Sequence, residues 1–189
     1  MNPKKILIAA ASPRKNGNST LLARKAAEGV ENAGGSYEML HLHSLDIKPC
    51  RACDWCRENP GSFCVIKDDM QPIYAKLREA EGLIIATPVY WFTVSAQAKL
   101  FMDRWYGFVN SAGYLLKGKR IGIILTFGDT DVFSSGAVNA LRTFQDACAY
   151  VGSHLVASVY GSANEPGEIQ SNTDLLEKAF RLGQKMAAE

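Results

Sequence analysis

Ile6-Leu7-Ile8-Ala9-Ala10-Ala11, running directly into Ser12-Pro13-Arg14-Lys15-Asn16-Gly17-Asn18-Ser19-Thr20, is the stretch that decides the fold. Its first six residues are apolar without a break. Alternation of polar and apolar residues marks a strand with one wet face, whereas a short unbroken run marks a strand buried on both faces. Such a strand needs helices above and below it, so the run predicts an α/β sheet. The polar loop that follows opens a helix expected over 19–33 and ended by Gly34-Gly35. It gathers the hydroxyls of Ser12, Ser19 and Thr20, the cations Arg14 and Lys15 and the free amides of a helix N-terminus, a setting that suits a phosphate dianion. Gly17 permits close backbone approach, and Ser19 or Thr20 stands where it would cap the helix. A cap and a turn without a ligand is the plain alternative. The loop is neither G-x4-G-K-S/T nor G-x-G-x-x-G, which argues against an ATPase and against a conventional Rossmann dehydrogenase.

Outward from this segment, further strands are expected over 37–45, 82–87, 120–127 and 154–160, the first of them at an edge. Helices are expected from Asp68-Asp69 onward and over 94–106, 134–151 and 172–188. Five strands alternating with helices predict a parallel sheet covered on both faces, with right-handed crossovers. Residues 1–189 read as one domain with a cysteine-rich loop at 48–66. In a five-strand doubly wound sheet of order 2-1-3-4-5, strands one and three flank the topological switch point, where ligands bind outside the carboxyl ends of the strands. The third strand runs into Thr87-Pro88-Val89-Tyr90-Trp91-Phe92, where the proline is expected to stop the strand and the rings offer flat apolar walls to a planar ligand. The fourth runs into Thr126-Phe127-Gly128-Asp129-Thr130-Asp131, a third polar loop on the same edge. Core packing or a contact between subunits is the alternative use of those rings.

The composition, 47% hydrophobic and 21% charged, is that of a soluble globular protein. A formal charge of +2 is too small to point to nucleic acid. Lys4-Lys5 before the first apolar run imitates a secretion signal, but the run ends at Ser12-Pro13-Arg14, and no segment suits a membrane span. A cytoplasmic protein is expected, in which thiols stay reduced. Four of its five cysteines, Cys50, Cys53, Cys56 and Cys64, form C-x2-C-x2-C-x7-C. Two-residue gaps let a loop wrap three sulfurs around a 4Fe-4S cubane, and Pro60-Gly61-Ser62 offers the turn that brings back the fourth. Structural zinc, thiol–disulfide exchange and a loop of free thiols are the competing readings. Cys148 reads as a small buried hydrophobe, and His41 and His43 as neighbours on one face of the edge strand.

The blocks S-P-R-x-x-G-N-S and C-x2-C-x2-C-x7-C-x3-D-D-M, then Thr87 to Trp91 with K-x-F-x-D-R beginning at Lys99, resemble the flavodoxin-fold NAD(P)H-dependent FMN reductases, and among them the iron–sulfur flavoproteins. The resemblance extends from about Lys4 to Thr130. It implies a flavodoxin-like three-layer sandwich in which Ser12, Arg14, Asn18, Ser19 and Thr20 hold the FMN phosphate. It further implies that Pro88, Val89, Tyr90 and Trp91 lie against the ring, that Thr126, Phe127, Gly128 and Asp129 complete the pocket, and that Cys50, Cys53, Cys56 and Cys64 are the metal ligands. By the same resemblance, NAD(P)H is a transient donor, the partners are small-molecule or protein electron carriers, and the assembly is a homodimer or homotetramer. The implied activity is transfer of electrons from NAD(P)H or a reduced carrier through FMN, with a 4Fe-4S cluster, to a downstream acceptor. A cluster-free reductase of quinones, nitro compounds or flavins is one alternative, and a non-enzymatic flavodoxin-like carrier another. No side chain is expected to act as nucleophile or general acid.

Overall fold

A computed structural model describes residues 3–188. In chain order its elements are β1 (Lys5–Ala10), α1 (Asn18–Asn32), β2 (Ser36–His41), α2 (Trp55–Glu58), α3 (Met70–Glu79), β3 (Gly82–Tyr90), β4 (Thr93–Val94), α4 (Ala96–Asp103), β5 (Val109–Asn110), β6 (Gly113–Tyr114), β7 (Arg120–Phe127), α5 (Ala137–Val151), β8 (His154–Ser162) and α6 (Thr173–Ala187). The five long strands are parallel and ordered β2-β1-β3-β7-β8. That is the expected flavodoxin-like order, with the two-residue β4 added antiparallel to β3 and β5-β6 forming a separate small ribbon.

β1 shows why its sequence does not alternate. Ile6 and Ile8 enter a core shared with α1 and α6, while Leu7, Ala9 and Ala11 enter the opposite core with α3, α4 and α5. Successive side chains point to opposite faces, and here both faces are dry.

Four local expectations are corrected. β3 does not stop at Pro88 but continues to Tyr90 and turns back into β4. β1 pairs with β3 only as far as Ala86, so β3 has a free side by residue 88 and a missing amide there need cost no ladder bond. α1 begins at Asn18 behind Gly17, with no side-chain cap, so neither Ser19 nor Thr20 caps it. The helix expected over 94–106 is shorter, because a 3-10 turn at Arg104–Gly107 takes over after Asp103. β2 ends at His41, and His43 falls in a 3-10 turn where its Nδ1 lies 3.2 Å from Gln97 Nε2, so the two histidines do not share a strand face.

Candidate functional site: a phosphate cradle, an aromatic platform and a cysteine loop

The loop between β1 and α1 is held from behind. The Gly17 N–H donates to Arg14 O (3.0 Å) and the Arg14 N–H to Ser12 Oγ (3.1 Å). Arg24 reaches back from α1 to Asn16 Oδ1 (3.0 Å) and Lys15 O (2.9 Å). Gly17 is required by space: a Cβ there would lie 2.6 Å from Ser12 Oγ and 3.2 Å from Arg14 O. The N–H groups of Asn18, Ser19 and Thr20 have no acceptor among the described residues and open onto the carboxyl edge of the sheet. Ser19, 1% exposed, carries a buried Oγ with no hydrogen-bond partner. A buried hydroxyl without a partner beside free helix amides and the Arg14 cation fits a phosphate group.

The candidate residues divide by what their side chains do. Ser12, Arg14, Asn18 and Ser19 line a cavity of about 260 Å³ together with Pro88, Val89 and Tyr90. Thr126, Phe127 and Gly128 close its far side. Thr20 stands behind the loop, its hydroxyl donating to Arg14 O (3.4 Å). The Asn18 side-chain amide is taken up within the protein: Nδ2 donates to Ala163 O (3.2 Å) and Glu165 O (2.9 Å), and Oδ1 accepts from Gly167 N (3.0 Å) and Ile169 N (3.3 Å). Asn18 therefore brackets the loop after β8 onto the first turn of α1, leaving only its backbone amide for the cavity.

That bracketed loop is the part of the site the sequence reading missed. Ala163 and Asn164 line the cavity, and the signal was available, since Ser162-Ala163-Asn164-Glu165-Pro166-Gly167 follows a parallel strand at the same edge. The cradle continues into a wider cleft of about 530 Å³, which shares Val89, Tyr90, Phe127, Gly128 and Asn164 with it and adds Trp91, Phe92 and Asp129. Ser134 and Ser135, also unanticipated, complete the rim.

Trp91 and Phe92 form the two-residue turn between β3 and β4, both with positive φ (49° and 65°). This conformation suits Asn-Gly and is strained for bulky rings, and such strain collects at binding sites. The start of α5 holds it: Asn139 Nδ2 donates to Phe92 O (3.2 Å), and Gly136 (φ 76°) packs so closely that a Cβ would lie 2.5 Å from Phe92 Cα. Trp91 is left 91% exposed. Across the cleft, Asp131 accepts from the Phe133 N–H (2.7 Å), the Ser134 N–H (3.1 Å) and the Ser134 hydroxyl (2.7 Å). These bonds, that of the hydroxyl foremost, hold its carboxyl below the usual range and project Phe133 into solvent.

The cysteine loop is gripped at its ends. Arg104 and Asp68, with side chains 1% and 0% exposed, form a buried two-pronged ion pair. Asp68 Oδ2 also accepts from Lys48 N (2.9 Å), and Arg104 donates to Lys48 O (2.8 Å), fixing the chain two residues before Cys50. At the other end Gln71 Nε2 donates to Cys64 O (2.7 Å) and Ile66 O (2.6 Å). Between the grips, Ala52, Asp54 and Phe63 take positive φ (50°, 54° and 58°). Cys50 and Cys53 are exposed, Cys64 is half-buried, and Cys56 is buried with its thiol 3.5 Å from Tyr106 O. All four line one void of about 10 Å³. Burial first, then the neighbouring Cys64, Cys50 and Cys53, push the Cys56 thiol up. The donor set suits iron–sulfur chemistry, but among the described residues no three cysteine, histidine or acidic side chains converge closely enough to hold one ion.

The family profile described as NADPH-dependent FMN reductase matches residues 4–168. An iron–sulfur flavoprotein of Methanocaldococcus jannaschii is 31% identical over 188 residues, 97% of this chain and 95% of its own. An iron–sulfur flavoprotein of Archaeoglobus fulgidus is 31% identical over 179 residues, 93% of this chain and 76% of its own. Among solved structures, that of a Trp repressor binding protein from Bacillus subtilis superposes with a TM-score of 0.69 at 27% identity, over 95% of this chain and 99% of that one.

Proposed function

The chain belongs to the NADPH-dependent FMN reductase family, and from that premise we propose that residues 1–189 act as one FMN-binding domain of an oxidoreductase. Electrons come from NAD(P)H or a reduced carrier and leave for a downstream acceptor, and Cys50, Cys53, Cys56 and Cys64 carry a 4Fe-4S cluster. The observation that carries the flavin part is the partnerless Ser19 hydroxyl among free helix amides, in a cavity continuous with an aromatic cleft. Bound FMN supplies the ability to take a hydride as an electron pair and to release electrons singly.

The chain's own residues bind and orient. Arg14, the Ser12 and Ser19 hydroxyls and the first-turn amides of α1 hold the phosphate. Pro88, Val89, Tyr90 and Trp91 support one side of the ring, and Thr126 to Asp129 with Asn164 border the other. Among the described residues no basic side chain lines the wider cleft, which suits a nicotinamide that docks transiently over an apolar face. The exposed Trp91 and Phe133 support a homodimer or homotetramer that covers the cleft. No helix among the described residues is long and apolar enough to cross a membrane, and the reduced thiols suit the cytoplasm.

A second reading, a cluster-free reductase of quinones, nitro compounds or flavins, is favoured by the spread of the four thiols around so small a void. FMN, iron and acid-labile sulfide per chain, measured on one anaerobically purified sample, separate the two. FMN with about four irons and four sulfides supports the cluster-bearing enzyme. FMN without iron supports the second reading, and then Cys53→Ser leaves turnover intact. Protein that neither contains nor takes up FMN overturns both, and FMN-loaded protein that oxidises no NAD(P)H with any acceptor is a carrier instead.

A further inference from the structure

Beside the cysteine loop, and away from the flavin cleft, a second cavity of about 220 Å³ opens between α4, the ribbon β5-β6 and α5. Its walls include Met102, Asp103, Trp105, Tyr106, Tyr114 and Tyr150. Tyr106 and Asp103 also line the void that the four cysteines share, so one aromatic ring serves both spaces. Tyr106 is held in that position from the loop side: its hydroxyl donates to Asp54 Oδ1 (3.2 Å) and the Arg57 guanidinium lies 5.5 Å from its ring centre.

Four aromatic rings surround this one small space, and three of its features define a ligand. First, its rings present flat faces and edges in several directions. Tyr114 and Tyr150 stand 5.6 Å apart at 58°, and Trp105 is set edge-on against Phe101 (5.9 Å, 85°). Second, a donor awaits an acceptor. Trp105 is 4% exposed and its indole N–H is buried without a partner, a defect that native interiors rarely leave unexplained. Third, the walls contain no Lys, Arg or His, and the one carboxylate, Asp103, is paired with Lys99. Arg57, over the Tyr106 ring, is the cation in reach but is not part of the wall, so a phosphate finds no ion pair among the lining residues, and a cation finds a carboxylate already neutralised.

We propose that this cavity is a binding site for an uncharged planar ring compound bearing a carbonyl oxygen, of the quinone class. Its volume lies below the roughly 300 Å³ at which drug-sized pockets begin, so the ligand has one or two rings. Its ring lies among Tyr106, Tyr114 and Tyr150, and its oxygen accepts from the Trp105 indole N–H. The argument stands on these residues and not on the flavin reading.

The test is equilibrium dialysis of the oxidised protein, as purified and without nicotinamide, against duroquinone. That quinone has no open ring position, so it cannot add to the exposed thiols. The expected result is one bound quinone per chain. Binding falls roughly tenfold, the scale of one lost aromatic contact, in Tyr150→Ala, and is abolished in Ala147→Phe, which fills the cavity. Tyr150 is 73% exposed, so its truncation leaves the fold intact; flavin content and the thermal transition check both variants. Duroquinone that binds the two variants as it binds the parent overturns the proposal, because it then sits elsewhere, including over the flavin cleft. No binding at the solubility limit overturns it too. So does a Tyr150→Ala protein that changes its oligomeric mass while the parent binds no quinone, which would make this face a contact between copies.

Discussion

The phosphate cradle and the cysteine loop sit on the same scaffold but are built in opposite ways. The cradle is complete in its backbone: its turn is closed by short hydrogen bonds, and none of residues 12–20 has positive φ. It leaves a buried hydroxyl and three amides without a protein partner. The cysteine loop is fixed at both ends by buried polar grips, while its middle is exposed and three of its non-glycine residues are left-handed. A cradle made of amides is finished by chain geometry alone. A thiolate cage has like charges to bring together, so its shape depends on what offsets their repulsion.

Breaking the grips has the largest expected effect. Arg104→Leu leaves the Asp68 carboxylate buried and unpaired, which costs about 3–5 kcal/mol in urea unfolding. The same variant should open residues 48–66 to protease and speed alkylation of Cys56, with little change in FMN affinity. Equal loss at both sites would mean that the two regions are not separable. Acid acts on the same pair. Burial pushes the Asp68 carboxyl up, but the Arg104 bond and the Lys48 and Met70 amides outweigh it and hold it below the usual range. A depressed folded value stabilises fully above the unfolded carboxylate value of about 3.9 and is lost as pH falls through the lower folded value. Stability followed from pH 5 to pH 2 should therefore fall less steeply in Asp68→Asn than in the parent.

Ser19→Ala probes the cradle. Loss of one hydrogen bond to a dianion weakens FMN binding by about 1.5–3 kcal/mol, roughly ten- to hundredfold, while removal of a partnerless buried hydroxyl leaves the apoprotein as stable or slightly more so. Flavin fluorescence quenching and thermal melting report the two halves separately, and a destabilised apoprotein would mean that Ser19 is structural. The smallest effect belongs to the strained middle of the cysteine loop. Ala52→Gly removes a left-handed alanine at the entropic cost of a glycine, for a net gain of about half a kcal/mol. A loss on melting would show that the kink is relaxed as it stands.

Much of this was legible in residue order. β7 spans the expected 120–127, the three anticipated loops meet at one edge, and the cysteine spacing marked a loop apart from the sheet. What escaped depended on partners distant in the chain. The bond from Asn18 to Ala163 spans 145 residues, and that pairing takes up the side chain of an expected phosphate ligand as a bracket, leaving its backbone amide to the cavity. Asp68 read as an acid at a helix start until Arg104, 36 residues on, was seen to bury it. Pro88 read as a strand terminator, because a proline's missing amide matters only where a neighbouring strand would have used it.

The sequence by itself determined the layered α/β fold and the places where polar loops interrupt apolar runs, because burial on one or two faces writes a periodicity into neighbouring residues. Only the tertiary structure decided which polar side chain faces a ligand and which is consumed inside the protein. A hydrogen-bonding group has few bonds to make, and whether a neighbour has already taken them depends on segments that meet only in the folded chain.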